Sequence, residues 1–358
     1  MTGNSTRIHY IDNLRWMTVS LLIIYHAAMA HNTWGEANYI CLGESGPASF
    51  IVVFISPWFM PLMFLLAGMS SRFSIRRRGY GVFLRERALR LELPLILGIL
   101  IINPILSYIA DVTHNGYEGG FLAHYSIFFT RFTDLSGYDG GFCLAHLWFI
   151  LVLIIISFLS CGVFRVVDMI PPSRRTALLP AGGVLLFIAA VAGYDIKLLG
   201  KPILLYLSVY LAGYYVFTDD SVMERIAKIK WILVPHFVVA SAADALLFVY
   251  VPEYEVLNTV MSCLSFALGV PALMGIGHDL LDRTGSLMKF CSCISYTFYI
   301  IHFPVVVLCQ FFLMRTGAGS VLNLVLTVLI SYPVTVLLCL FIDKIKCMSC
   351  RVSQENSL

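Results

Sequence analysis

The segment from Phe50 to Met69, FIVVFISPWFMPLMFLLAGM, contains no charged residue. A helix needs about 20 mainly apolar residues to cross the hydrocarbon core of a bilayer, so this segment predicts one membrane span. Similar windows recur along the chain and bring the predicted total to ten spans. The other nine windows are residues 16–32, 91–110, 147–166, 177–194, 202–217, 231–251, 256–276, 293–313 and 321–342.

The composition of the whole chain agrees with a membrane protein. Of the 358 residues, 59% are apolar and only 13% are charged, whereas ordinary soluble domains carry about a quarter charged residues. No Pro/Gly/Ser-rich linker divides the chain, so we expect an all-α polytopic helix bundle that forms one integral membrane domain over residues 1–358. The net charge of +3, with no basic and aromatic stripe, argues against nucleic-acid binding.

The basic residues predict the orientation of this bundle. Lys and Arg are retained on the cytoplasmic side of a membrane. With ten spans, all but four of the 24 basic residues fall on one side, together with both termini and a tail at about 343–358. Both termini are therefore predicted to be cytoplasmic. The four basic residues on the opposite side are Arg131, Lys197, Lys201 and Arg315.

Two processing alternatives remain open at this point. Arg7 and Arg15 precede a short apolar run that ends in Ala28-Met29-Ala30, which fits a signal-peptide cleavage site. The acidic Asp12 within the basic region disfavours cleavage there. Cys41 and Cys143 both lie in predicted outward loops, where one disulfide between them would be tolerated.

The first span carries the clearest candidate for chemistry. Asp12 lies three residues before Arg15, so the two can pair on one helix face. His26 lies eleven residues after Arg15, which places the two about 20° apart around the helix and about 16 Å apart along its axis. Arg15 is then expected at the cytoplasmic rim and His26 about half-way through the core. A hydrogen-bonded packing histidine and a general base are equally compatible with this spacing.

Arginines are concentrated between the second and third spans, in a segment expected to be a cytoplasmic loop. Seven of them lie between Arg72 and Arg90, more than orientation requires. Guanidinium groups bind phosphates through paired hydrogen bonds, so the cluster predicts a phosphorylated cytosolic ligand or anionic lipid headgroups. A solvated retention signal is the competing interpretation. It is weaker for the three arginines next to the third span, Arg85, Arg87 and Arg90.

Four short motifs in this order resemble the membrane acyltransferase-3 family over nearly the whole chain. They are Tyr10-Ile11-Asp12-Asn13-Leu14-Arg15 with His26 eleven residues beyond Arg15, Phe83-Leu84-Arg85-Glu86-Arg87-Ala88-Leu89-Arg90, His146-Leu147-Trp148-Phe149, and Ser295-Tyr296-Thr297-Phe298-Tyr299-Ile300-Ile301-His302-Phe303-Pro304. The second span and the arginine segment are most similar to the glucan succinyltransferase-like branch of that family.

The resemblance implies an integral membrane O-acyltransferase of the plasma membrane of bacteria. It would move an acyl group, acetyl, succinyl or similar, from cytosolic acyl-CoA to a hydroxyl of an extracytoplasmic carbohydrate or other cell-envelope acceptor. His26 and Arg15 would be catalytic, Arg85, Arg87 and Arg90 would hold the donor, and Asp12, His146, Trp148 and His302 would line the cavity or the acceptor site. Acyl-CoA is a co-substrate here, and neither a tightly bound cofactor nor a metal is expected.

Two other function classes compete with this one. A ten-span secondary transporter of a small anionic solute would also bury an acidic residue and a histidine, but it predicts paired Gly/Pro interruptions in two halves of the chain. No such correspondence is visible. A non-catalytic scaffold that binds anionic lipid gives no reason for Arg15 and His26 to share a face.

Overall fold

The computed structural model describes residues 8–171 and 196–355, with side chains described as far as residue 344. It confirms the all-α polytopic bundle, since the two strands of the described part are two residues each. The helices are α1 His9–Met29, α2 Gly46–Leu97, α3 Asn103–His114, α4 Phe121–Thr130, α5 Trp148–Asp168, α6 Ile203–Tyr215, α7 Asp220–Tyr250, α8 Glu255–Leu280, α9 Ser286–Leu313 and α10 Ser320–Glu355. The strands are β1 Lys197–Leu198 and β2 Lys201–Pro202.

Most of the predicted spans coincide with these helices. Six helical stretches in the described part are long and apolar enough to cross a membrane, and Phe121–Thr130 and Ile203–Tyr215 are shorter apolar helices. The first window overlaps α1, which is not one of these six stretches, and the window at 177–194 lies outside the described residues. The count of ten spans and the side on which each terminus lies therefore stay predictions. The expected tail at 343–358 continues α10 as helix as far as Glu355.

The arginine-rich segment is helical, so the loop expected there is wrong. The 52 residues of α2 consist of two helical stretches that meet at a kink at Gly79, with φ 77° and ψ 170°. Arginine is a good helix former, so the run of arginines continues the spanning helix instead of ending it. Glycine has no Cβ and adopts a positive φ without a steric penalty, which allows the kink. After Leu97 the chain passes through a π-helical turn, Gly98–Ile102, into α3.

Two glycines let α2 and α6 pack with their backbones in close contact. A Cβ on Gly68 would lie 2.0 Å from the carbonyl oxygen of Tyr210, and a Cβ on Gly213 would lie 2.2 Å from the carbonyl oxygen of Leu65. Small residues at such crossings allow membrane helices to gain van der Waals contact, which replaces the hydrophobic driving force that lipid lacks. The Tyr210 hydroxyl also donates to Ser71 Oγ at 2.6 Å.

Helix α1 is held at both of its ends by polar contacts with other helices. Near its start, the side-chain amide of Asn13 donates to the carbonyl oxygens of Leu281 and Arg283 at 2.7 and 2.9 Å. Near its end, the Gln310 amide of α9 donates to the carbonyl oxygen of Ala27 at 3.0 Å. The side chains of α1 are therefore fixed relative to the bundle. We call the side of the bundle at the start of α1 the arginine end, and the side at the end of α1 the cavity end.

Candidate active site

A cavity of about 350 Å³ lies at the cavity end. This volume is within the range of sites that enclose small ligands. Its walls come from α1, α2, α5, α6 and α9, the α1–α2 and α4–α5 connections, and the β1–β2 hairpin. Tyrosine, phenylalanine and tryptophan form much of the lining, and the charged or titratable groups that line it include His26, Glu36, Asp134, His146 and Lys201.

His26 presents an imidazole to this cavity without a protein partner. It lies in the last turn of α1. Its ring centroid is 4.0 Å from that of Phe303 and 5.4 Å from that of His302. No hydrogen bond holds either of its ring nitrogens in the described part of the chain. The alternative of a hydrogen-bonded packing histidine is therefore disfavoured, and a ring nitrogen is left for a ligand.

Two further histidines complete a cluster of three imidazoles. His146 Nε2 lies 2.8 Å from the carbonyl oxygen of Ile300, and His302 Nδ1 lies 2.7 Å from that of Tyr299. The rings of His146 and His302 are 5.1 Å apart. A carbonyl oxygen only accepts, so each of these nitrogens carries the proton and the opposite nitrogen keeps a lone pair. Those opposite nitrogens, His146 Nδ1 and His302 Nε2, are buried without a partner in the described structure.

The sequence singled out all three histidines, and the fold brings them together from three separate elements. His26 comes from α1, His146 from a 3₁₀ turn at the start of α5, and His302 from the middle of α9. His26 and His146 line the cavity, and His302 packs beside His26. The hydroxyl of Tyr299 donates to the backbone carbonyl of His146, which fixes the turn that presents this ring.

Trp148 lines the same cavity and forms part of an aromatic wall. Its ring stacks on that of Tyr206, with centroids 5.8 Å apart and an interplanar angle of 27°. The ammonium of Lys201 lies 5.0 Å from the centre of the Trp148 ring, as in a cation–π contact. The position inside the cavity favours the predicted ligand-binding role of Trp148 over a lipid-interface role.

Backbone strain is concentrated at this cavity. Among the described residues, three that are not glycine have a positive φ: Leu135 at 62°, Ala145 at 46° and Leu199 at 55°. All three line the cavity. An L-residue in the left-handed region costs roughly 1–2 kcal/mol, and such strain is typical of sites that must hold a particular geometry.

The segment between α3 and α5 contributes to the cavity without forming one long loop. The segment from Asp111 to Ala145 contains the ten-residue helix α4. Past that helix, Asp134, Ser136 and Tyr138 face the cavity. The Asp134 carboxylate accepts hydrogen bonds from the backbone amide and hydroxyl of Ser136, and these bonds lower the pKa of Asp134 below its usual range. Cys143 is buried and Cys41 is exposed, and both are free thiols.

Arg15 and Asp12 lie at the arginine end and do not line the cavity. They form the predicted i, i+3 ion pair, with Arg15 Nη1 2.9 Å from Asp12 Oδ1. Arg15 Nη2 also donates to Ser70 Oγ of α2 at 2.7 Å. The pairing predicted from the sequence is confirmed, and it ties α1 to the helix that carries the arginine cluster.

The three arginines predicted to hold a donor occupy different environments. Arg87 Nε donates to Ser157 Oγ at 3.2 Å, its guanidinium lies 5.5 Å from the centre of the Phe83 ring, and its Nη2 is buried without a partner in the described part. Arg85 and Arg90 are exposed. The carbonyl oxygen of Arg90 accepts from the Tyr296 hydroxyl at 3.2 Å. None of the three lines the cavity at the other end.

Several residues that line the cavity were not predicted from the sequence. Lys201 was used only to predict the orientation of the bundle. No motif or spacing pointed to the other four, Tyr25, Glu36, Tyr39 and Tyr206. Their approach to His26 depends on how the loops and helices pack, and no motif or spacing encodes that. In the part of the chain described, no group of three or more His, Cys, Asp or Glu side chains is arranged to hold a metal ion.

Comparison with protein families classifies the chain as a whole. A family model described as an acyltransferase domain matches residues 8–344, which is nearly the whole chain. Neither the curated proteins nor the solved structures contain a match.

Proposed function

The chain belongs to the membrane acyltransferase-3 family, and from this premise we propose that it is an O-acyltransferase that modifies an extracytoplasmic acceptor. As a member of this family it is an integral membrane enzyme that transfers acyl groups other than amino-acyl groups. The proposed donor is cytosolic acyl-CoA. The proposed acceptor is a hydroxyl of a carbohydrate or another component of the cell envelope.

The observation that carries the proposal is the imidazole of His26, which faces the cavity without a hydrogen-bond partner in the described part. A neutral imidazole in this setting takes the proton of an acceptor hydroxyl as its oxygen attacks the thioester carbonyl. The carbon–oxygen bond forms, the carbon–sulfur bond breaks, and the imidazolium returns the proton to the departing thiolate. In a second route, the imidazole accepts the acyl group and then passes it to the acceptor.

His146 and His302 support catalysis as positioning groups in this proposal. Each has one nitrogen bound to a backbone carbonyl and one buried nitrogen without a partner in the described part. Buried polar atoms without partners are costly, so their persistence beside His26 points to a use in the loaded enzyme. A lone pair on His146 Nδ1 can accept from a second hydroxyl of the acceptor, which places the reacting hydroxyl against His26.

The arginine end supports donor binding. Acyl-CoA is a phosphate-rich anion with its thioester at the tip of a long flexible arm, and Arg15, Arg85, Arg87 and Arg90 are suited to its phosphates. Arg15 and His26 are separated by about 16 Å along α1, which such an arm spans. We propose that the arm runs between α1 and its neighbours towards the cavity. Asp12 then acts through Arg15, whose guanidinium it orients.

The cavity end supports acceptor binding. Aromatic rings such as those of Trp148 and Tyr206 offer flat apolar faces on which a sugar ring can stack, and the polar groups of the cavity can bind its hydroxyls. The plasma membrane of a bacterium is the proposed location. The glucan succinyltransferase-like branch stays a prediction, as does the identity of the acyl group.

The transporter and scaffold alternatives are disfavoured by the family. The match over residues 8–344 identifies an acyltransferase, and neither alternative explains three clustered imidazoles beside an aromatic wall.

The experiment that tests the proposed function measures thioester consumption. Purified full-length protein in lipid nanodiscs is incubated with labelled acyl-CoA, and free CoA and labelled acceptor are followed with and without cell-envelope polysaccharide. We expect turnover that disappears in His26→Ala. The matched control is His236→Ala, because His236 is exposed on α7 and does not line the cavity. Turnover that survives in His26→Ala, or no thioester consumption at all, would overturn the proposal.

A further inference from the structure

The β1–β2 hairpin delivers a lysine to the cavity through a strained turn. Its register pairs Lys197 with Pro202 and Leu198 with Lys201. The two residues between the strands, Leu199 and Gly200, have φ values of 55° and 72°, as in the type I′ turn of a two-residue hairpin. Glycine suits this conformation and leucine does not. The turn therefore carries a conformational cost while it positions Leu199 and Lys201 in the cavity wall.

The ammonium of Lys201 has no anionic partner in the described structure. Lys201 is half-buried, and its Nζ lies 5.0 Å from the centre of the Trp148 ring. No carboxylate of the described residues lies within salt-bridge distance of it. Burial lowers the pKa of Lys201, and the more distant Glu36 offsets part of this effect. A half-buried cation held only by an aromatic face is costly unless a ligand supplies the opposite charge.

The two carboxylates that line the same cavity are engaged elsewhere. Glu36 is exposed, and its Oε2 accepts from the indole of Trp34 at 2.9 Å. Asp134 is exposed, and its Oδ1 accepts from the amide and hydroxyl of Ser136 at 2.9 and 2.6 Å. Each contact occupies one oxygen of its carboxylate, and neither carboxylate forms a salt bridge with Lys201 in the described part. The cavity thus contains one half-buried cation and two exposed anions that do not pair with it directly.

We propose that Lys201 is a carboxylate-binding subsite that selects an acyl group with a free terminal carboxylate. This inference rests on the proposed function and names the class of acyl group that it transfers. The carboxylate would accept a charge-assisted hydrogen bond from the Lys201 ammonium and stay chemically unchanged while the thioester at the other end of the acyl group reacts. Trp148, which links the lysine to the turn bearing His146, holds the ammonium in place.

The charges around the cavity favour the acyl group over the acceptor as the source of the carboxylate. An acidic acceptor would meet the exposed carboxylates of Glu36 and Asp134, which repel it. An acyl group that arrives on the donor arm from the arginine end does not have to pass these exposed carboxylates. The acceptor is therefore expected to be neutral, and the negative charge to belong to the acyl group.

The test compares two donors in the full-length protein in nanodiscs. The measured quantity is the ratio of kcat/KM for succinyl-CoA to kcat/KM for acetyl-CoA. We expect Lys201→Met to lower this ratio by about 10- to 100-fold, since a hydrogen bond between charged groups is lost. Lys201→Arg, which keeps the charge, should restore most of the ratio. Lys197→Met is the matched control, because Lys197 lies on the same hairpin, is exposed and does not line the cavity.

Three results would overturn the subsite. They are an unchanged ratio in Lys201→Met, an equal loss with both donors, and a loss that follows the charge of the acceptor and not that of the acyl group. These differ from failure of the proposed function, in which the wild type consumes neither thioester or His26→Ala remains active.

A binding measurement tests the subsite without turnover. Thermal unfolding is followed with monomethyl succinate, which is anionic, and with dimethyl succinate, which is neutral. We expect the anionic ester to raise the Tm of the wild type more than the neutral ester does, and Lys201→Met to abolish the difference. Equal shifts in the wild type, or a difference that survives in Lys201→Met, would overturn the subsite.

Discussion

The two ends of α1 carry different kinds of polar side chain, guanidinium groups at one end and imidazoles at the other. At the arginine end, Arg15 is satisfied by Asp12 and Ser70 and Arg78 pairs with Glu86, while one buried nitrogen each of Arg72 and Arg87 has no partner in the described part. At the cavity end, His26 is unbonded, and His146 and His302 each leave a buried nitrogen without a partner in the described part. A folded protein pairs buried polar groups unless their use requires them unpaired. The comparison indicates that the arginine end binds a charged group and that the cavity end carries out the reaction.

The same two ends also differ in backbone strain. The described non-glycine residues with positive φ line the cavity. Near the arginines, by contrast, the positive φ at the kink of α2 belongs to Gly79, which has no Cβ. At the cavity, the three strained positions are not glycines. This is expected when a loop must present particular side chains.

The largest expected effect is on kcat, and it distinguishes the cavity end from the arginine end. We expect His26→Ala to lower kcat by about 10²–10⁴-fold, the usual contribution of a general base, with little change in the KM for acyl-CoA. Steady-state kinetics with a fixed acceptor checks this. A His26→Ala enzyme that keeps its kcat and loses only donor affinity would break the division between the ends.

A second prediction concerns α2, the helix that contributes to both ends. Gly68→Ala should destabilise the protein by about 1–3 kcal/mol, because its Cβ would overlap the Tyr210 carbonyl and push α6 away. Gly162→Ala is the matched control, since a Cβ on this exposed helical glycine meets nothing within 4 Å. Thermal unfolding in detergent measures both. Equal unfolding temperatures for the two variants would argue against close α2–α6 contact.

The third prediction sharpens the arginine end. Arg87→Ala should raise the KM for acyl-CoA by about 10-fold, and Arg90→Ala by less, because hydrogen bonds of half-buried charged groups contribute more than exposed charges do. Arg87 is held by Ser157 and the Phe83 ring, whereas Arg90 is exposed. Donor titrations of the two variants provide the measurement. A larger effect of Arg90→Ala would indicate that solvated charge, and not a positioned guanidinium, binds the donor.

The smallest expected effect concerns strain at the cavity end. Leu199→Gly should stabilise the fold by about 0.5–1 kcal/mol, since glycine relieves the left-handed penalty but loses more entropy on folding. Leu198→Gly, one residue earlier on β1 and without a positive φ, should destabilise instead. Chemical denaturation of both variants resolves the sign. Destabilisation by both would mean that Leu199 packing outweighs its strain.

Local patterns were sufficient for the class of fold and for several site residues. The apolar windows predicted the helices because a membrane span must be about 20 apolar residues long. The spacing of Asp12 and Arg15 predicted their ion pair, since residues three apart are neighbours on a helix. The motifs also predicted His146 and His302 as site residues. Their spacing in the sequence did not predict that the two rings lie 5.1 Å apart.

One prediction that was wrong concerns the arginine segment. It was expected to be a loop because it lies between two predicted spans, but arginine is a good helix former and the helical geometry of α2 is interrupted only at Gly79. The depth of His26 in the membrane stays a prediction. Charge patterns report the solvent around a residue and do not by themselves report where a helix begins or ends.

The sequence alone determined an all-α membrane bundle, its family and the pairing of neighbours along one helix, because these follow from composition and from contacts a few residues apart. Only the tertiary structure decided that Lys201, Trp148 and three histidines from distant elements surround one cavity. Contacts between such distant residues depend on how helices cross and how strained turns orient their side chains. The crossing of α2 and α6, for example, depends on backbone contact at two glycines. Packing acts between residues far apart in the chain, so no local pattern encodes it.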